Sequence, residues 1–195
     1  NLQYCLSSTE GNVSTDILSI DSLVWGHDIS FSSSTYSYVN VPFGVHKYVN
    51  GELDTTIHTD ANVRCQTYFN EQLLLGTVNG LFMLENDELR PIQQHPLLKE
   101  RIHTMIPFEK KLLIGTLGAG LLIAEEDRLR QLSVLDGLSG NDITAIHLKG
   151  DSIFMATGQG IDLVRITDDS ISIIRTFSNY KKSRINNLTV KGNKI

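Results

Sequence analysis

Cysteine, proline, tryptophan and alanine are all scarce in this chain of 195 residues. Cys5 and Cys65 are the two cysteines. They are too few for a disulfide framework or a cysteine-rich zinc site, and read as two thiols carried in strands rather than as a bridge. Alanine occurs 5 times, against 45 residues of Ile, Val and Thr together. Branched side chains lose rotamer freedom in a helix and pack well on a pleated surface, so the imbalance points to β structure. Long apolar runs are missing too: the longest are three or four residues, as at 121–124, far short of the ~20 that a membrane helix needs. A basic excess is also absent. Lys and Arg total 17 against 22 Asp and Glu, for a net charge of −5. The cations are scattered, which disfavours binding to a phosphate backbone. The start shows neither an initiator Met nor a signal-peptide pattern, and reads as processed or excised.

What is present is a repeat. The segments 22–27 (SLVWGH), 72–77 (QLLLGT), 111–116 (KLLIGT) and 152–157 (SIFMAT) each run from apolar residues into Gly or Ala and then a polar residue. A glycine soon after each opens another apolar stretch: Gly44, Gly80, Gly120 and Gly160, spaced by 36, 40 and 40 residues. Leu53, Leu89 and Leu129 follow the first three of these by nine residues, and Ile171 follows Gly160 by eleven. Further apolar alternations begin at Val13, Val63, Ile102, Ile143 and Ile185. The clearest unit reads as strands at 102–108, 111–116, 119–124 and 128–135, with period-two patterning that leaves both faces partly apolar. Four antiparallel strands in about 40 residues is the arithmetic of a β-propeller blade, whose faces are buried by its neighbours. The expected fold is therefore all-β, a partial propeller or a fragment of a larger one. Its blades fall near 13–57, 62–94, 101–135 and 142–177, with partial blades at 1–11 and 184–195.

The repeats NDITAIHLKGDSIFMATGQGIDLV (141–164), KLLIGTLGAGLLI (111–123) and RINNLTVKGNKI (184–195) resemble those of the two-component regulator propeller family. The resemblance covers nearly the whole chain and is clearest over 62–195. Trp25 stands in one second-strand segment alone, and Ala156 replaces Gly in one unit. The resemblance implies the periplasmic or extracytoplasmic sensor region of a bacterial histidine kinase or hybrid two-component sensor: a non-catalytic ligand-sensing module with no cofactor. The implied partners are a ligand, with glycans the class its best-studied relatives sense, other parts of the same receptor chain, and a second copy in a homodimer. Nucleic acid and membrane insertion of this segment are not expected. The alternatives are a lyase-like propeller enzyme and a protein-interaction scaffold.

The one break in the rhythm lies between Gly26 and Gly44, where about thirteen residues read as inserted between second and third strands. This stretch is rich in Ser and aromatic residues, the composition of adaptable binding loops. In a propeller, such loops share a face with the inter-blade connections. Trp25, His27, Phe31, Tyr36 and Tyr38 are therefore expected to meet the connections at 94–100 and 179–184, the latter carrying Tyr180, Lys181 and Arg184, as one ligand-binding surface. The six histidines, His27, His46, His58, His95, His103 and His147, lack zinc-site spacing. The glycines at 115–120 and 158–160 precede strands, so they are hairpin punctuation rather than phosphate loops. The acidic triplets at 85–88, 125–127 and 168–169 read as solvated turn residues.

Overall fold

The computed structural model describes residues 29–31, 36–126, 128–167, 170–178, 185 and 188. Among these residues sixteen strands form four antiparallel meanders of four strands each. The first comprises β1 (Ile29–Phe31), β2 (Tyr36–Val41), β3 (Gly44–Val49) and β4 (Glu52–His58). The second holds β5 (Val63–Phe69), β6 (Gln72–Thr77), β7 (Gly80–Glu85) and β8 (Glu88–Pro91). Next come β9 (Ile102–Phe108), β10 (Lys111–Thr116), β11 (Leu121–Glu125) and β12 (Arg128–Leu132). The fourth has β13 (Ile143–Lys149), β14 (Ser152–Thr157), β15 (Gly160–Ile166) and β16 (Ile171–Phe177). The first strands of successive sheets neighbour one another, β1 beside β5, β5 beside β9 and β9 beside β13, so the sheets fan out as blades. Among the described residues the arc is open.

The core lies between blades. Successive side chains on a strand point to opposite faces, and here each face meets a different neighbour. On β10, Leu113 joins Ile143, Ile153 and Met155 of the fourth blade. Its neighbours Leu112 and Ile114 join Leu74, Leu81 and Ile102 on the other side. Leu73 and Leu75 turn toward Val45 of the first blade. Phe154 and Ala156 pack with Leu188 and Ile185, beyond the fourth blade. This is why the second strands read as continuous apolar runs rather than as alternation.

The Gly-Thr pair that ends these runs has two separate duties. A Cβ on Gly115 would come within 2.6 Å of Thr104 Cγ2 and 2.8 Å of Ile143 Cγ2, so glycine lets the next blade's first strand approach closely. Thr77, Thr116 and Thr157 are buried. Each hydroxyl donates to the carbonyl of the glycine beyond the turn, at 2.9, 2.8 and 3.3 Å. Each also accepts from a turn amide at 3.0 Å, that of Asn79, Ala119 or Gln159.

The first blade departs from the sequence reading. Its second strand is Tyr36–Val41, which pairs with Gly44–Val49 on one side and Ile29–Phe31 on the other. The supposed insertion thus supplies the blade's own first two strands, and β2 begins eight residues before Gly44, as β6 does before Gly80. The segment 22–27, assigned to that role from its apolar-Gly pattern, lies outside the described residues, as does the rest of 13–28. The pattern misled because β2 ends in Asn40-Val41 where the other blades have Gly-Thr or Ala-Thr.

Candidate functional site

The boundary between the first and second blades carries a polar and aromatic cluster. Tyr36 and Tyr38 are two residues apart on β2 and so share a face, and Tyr38 stands opposite Lys47 of β3. That face looks toward the second blade, where Tyr38 packs with Val45, Val63, Leu73 and Leu75. Tyr36, further out, is 42% exposed. Lys47 Nζ lies 5.8 Å from the Tyr36 ring centroid, within cation–π range. The same ammonium donates to both carboxylate oxygens of Asp87 at 2.9 Å and sits 3.8 Å from Asp54.

Asp87 reaches Lys47 because of its turn. Asn86 and Asp87 both adopt left-handed backbone, with φ of 53° and 60°, in the two-residue hairpin joining β7 to β8. Paired positive φ is the conformation of the tight turn that best matches strand twist, and Asn and Asp tolerate it. A turn acid of one blade thereby becomes the counter-ion of a strand lysine in the blade before it. The acids of 85–88 are therefore not all plain solvated turn residues.

Electrostatics follow from this packing. The Asp87 hydrogen bond outweighs desolvation and raises the Lys47 pKa above its ordinary value, so the ammonium stays charged. Burial is the main reason the Tyr38 phenol is pushed up; Lys47 opposes this, while Asp87, Tyr68 and Tyr36 add to it. Tyr38 is thus a neutral phenol at ordinary pH. Nearby, His46 Nδ1 lies 2.8 Å from the Thr56 hydroxyl, and the ring meets Tyr48 edge to face. Burial first, and His58 second, lower the His46 pKa.

Beside the cluster is an open groove of about 590 Å³, walled by Asp54, Thr55, Thr56, Ile57 and His58 of β4 and by Asp87, Glu88 and Leu89 across the blade boundary. Aromatic faces beside carboxylates and an ammonium suit recognition of a polar ligand by stacking and hydrogen bonding.

Of the sequence-derived site residues, the structure brings Tyr36 and Tyr38 together. Phe31 lies in β1 with its backbone paired to Ser37. Trp25, His27, Tyr180, Lys181 and Arg184 lie outside the described residues. The expected shared surface is corrected for the tyrosines. Tyr36 starts β2 at the blade end opposite the β2–β3 turn, whereas the 94–100 connection packs at the β6–β7 turn, with Leu98 against Gly80. Lys47, Asp54, Tyr68 and Asp87 were missed from sequence. His103 and His147 occupy equivalent first strands, β9 and β13, and both are half-buried. Among the described residues no group of three His, Cys, Asp or Glu is placed to hold a metal, and no helix is long and apolar enough to cross a membrane.

Four four-stranded blades fanned side by side define a β-propeller architecture. No protein-family model matches the chain, and no curated protein matches it. Solved structures do. The extracellular domain of the BT3049 hybrid two-component system of B. thetaiotaomicron aligns with a TM-score of 0.66 at 18% identity, over 84% of this chain and 23% of that one. The extracellular domain of the BT4673 one-component system of the same organism gives 0.61 at 14%, over 85% and 25%. The WD40 propeller of Doa1 gives 0.64 at 10%, over 85% and 57%. Virginiamycin B lyase of Staphylococcus aureus gives 0.57 at 14%, over 74% and 53%. The chain spans about a quarter of the two sensor domains. At these identities the likeness establishes the fold.

Proposed function

We propose that the chain is a non-catalytic, ligand-sensing propeller segment from the extracytoplasmic region of a bacterial two-component sensor. The observation that carries this reading is the alignment of 84% and 85% of its length with the extracellular domains of two sensor systems. The repeat pattern supports the same family. The ligand is a glycan, held at the rim of the first and second blades with Tyr36 as stacking platform and Asp54 and Asp87 as hydrogen-bond acceptors. A ligand shifts an equilibrium only by its differential affinity for two states. Here it would bias the packing of two blades joined by the Lys47–Asp87 pair, and a membrane-linked kinase reached through other parts of the receptor, in a homodimer, would read the change.

Thermal unfolding of the 195-residue chain with neutral and acidic oligosaccharides tests this, because a ligand that binds the native state raises Tm by mass action. The expected result is a rise with one oligosaccharide class that Tyr36→Ala removes while leaving the unliganded Tm nearly unchanged. No rise with any class, or a rise that survives the substitution, overturns the assignment.

A further inference from the structure

We infer that the groove between the first and second blades docks an extended, basic peptide segment, which adds to the outer edge of β4 as a fifth strand. The inference stands on the groove alone; because Asp54 and Asp87 also serve the proposed glycan, peptide and glycan would exclude one another there. The shape of the wall carries it first. Alternate side chains of a strand face opposite ways, so a cavity walled by five consecutive residues, 54–58, runs along the strand's edge rather than against one face. Among the described residues β4 ends its sheet order, with β3 as its single strand partner, so its other edge offers main-chain donors and acceptors to an incoming strand. The regularly paired stretch, residues 55–58, presents an edge of about 13 Å, which matches four residues of an added strand.

The outer strands of the next two blades make the contrast. β8 has four residues and ends in Pro91. β12 has five and carries Arg128 and Arg130. Short length, proline and cations are the usual devices that keep an edge from pairing. β4 has seven residues, with neither proline nor a cation. Its register slips once, between the Lys47–Thr55 and Tyr48–Leu53 pairs, leaving Asp54 as the extra residue and Thr55 to His58 in regular pairing beyond it.

Charge selects the occupant. Asp54, Asp87 and Glu88 line the groove, and among the described residues no lysine or arginine does. Lys47 answers Asp54 and Asp87 from beneath, with a side chain only 15% exposed. Arg90 lies 2.7 Å from Glu85 and 3.5 Å from Glu88, outside the lining. Lys47 engages both Asp87 oxygens, but the Asp54 side chain is about half exposed and Glu88 more so, which leaves carboxylate oxygens of these two to an incoming ammonium or guanidinium. Ile57 and Leu89 supply an apolar strip within the groove. The partner this chemistry fits is a strand that alternates Lys or Arg with small aliphatic residues.

The test is fluorescence anisotropy of a labelled Lys-Val-Lys-Val-Lys-Val peptide with the full 195-residue chain. Two controls accompany it: a Glu-Val counterpart and the basic peptide N-methylated at alternate residues. The basic peptide is expected to bind and the acidic one not. N-methylation removes the donors that pair with β4, and should weaken binding at least about tenfold. Glu88→Lys, at a largely exposed position, should weaken it by a similar factor. Failure of the basic peptide to bind at millimolar concentration overturns the proposal. So does equal binding of the N-methylated peptide, which would mean charge attraction without strand addition.

Discussion

Leu112 and Leu113 are adjacent, nearly fully buried residues of β10, at 2% and 0% exposure, yet they belong to different interfaces. Replacing either with alanine deletes the same atoms from an equally dry site, so each substitution should cost about 2.7–5 kcal/mol. For a chain of this length that corresponds to a fall in Tm of roughly 5–20 °C. Singly they are indistinguishable. Combined with Met155→Ala they separate. Met155 shares the Leu113 cluster between the third and fourth blades, and Leu112 packs on the other side against the second. The Leu113→Ala/Met155→Ala pair should therefore show a coupling energy of about 0.5–3 kcal/mol, while Leu112→Ala/Met155→Ala should add within about 0.5 kcal/mol. Urea unfolding of the five variants, followed by circular dichroism, measures both. Coupling of Leu112 rather than Leu113 to Met155 would mean that β10 is out of register by one residue and would refute the blade packing described here.

Three further outcomes follow from other features. Thr116→Val removes the hydroxyl that donates to Gly120 and leaves the Ala119 amide without its acceptor, so it should cost about 1–3 kcal/mol by urea unfolding despite its nearly identical shape. Lys47→Met should cost no more than about 1 kcal/mol, since the pair is partly solvated, and the loss should shrink as salt is raised. Lys47 has a raised pKa in the folded state, so its contribution is complete below the unfolded lysine value of 10.5 and disappears as pH climbs past it. The variant should accordingly lose less stability than the parent in alkali. His46 has a lowered pKa, so its neutral form contributes stability above pH 6.5 that is lost as pH falls further; His46→Gln should flatten the acid limb of a Tm-versus-pH curve.

Much of the fold could be read from sequence because the blade interfaces leave a local trace. Two buried faces make the second strands apolar throughout, and the Gly-Thr turn recurs wherever a neighbouring first strand comes close, so the starts of β5, β9 and β13 at Val63, Ile102 and Ile143 follow from spacing. The first blade hid for the same reason in reverse. Tyr36–Val41 breaks its apolar residues with Ser37 and Asn40 and lacks the Gly-Thr ending, while 22–27 mimics the pattern by composition. The offset of eight residues before Gly44, the same as for β6 and β14 before their glycines, was the available clue. The candidate site was half legible. Tyr36 and Tyr38 stood out as aromatic residues among serines, but Lys47 and Asp87 lie 40 residues apart, one blade period, and meet because two sheets stack. A single lysine in a strand and a single acid in a turn carry no mark of partnership until that stacking exists.

The stacking of blades through their second and first strands is most directly read by methyl and glycine proton contacts in solution. With isoleucine methyls labelled, Gly115 Hα should give a strong nuclear Overhauser effect to the Ile143 Cγ2 methyl, and Gly76 Hα to that of Ile102, because a Cβ at either glycine would collide with those methyls. Both cross-peaks should vanish in urea. Their absence from the native spectrum, with the two glycines instead near water, would contradict the propeller.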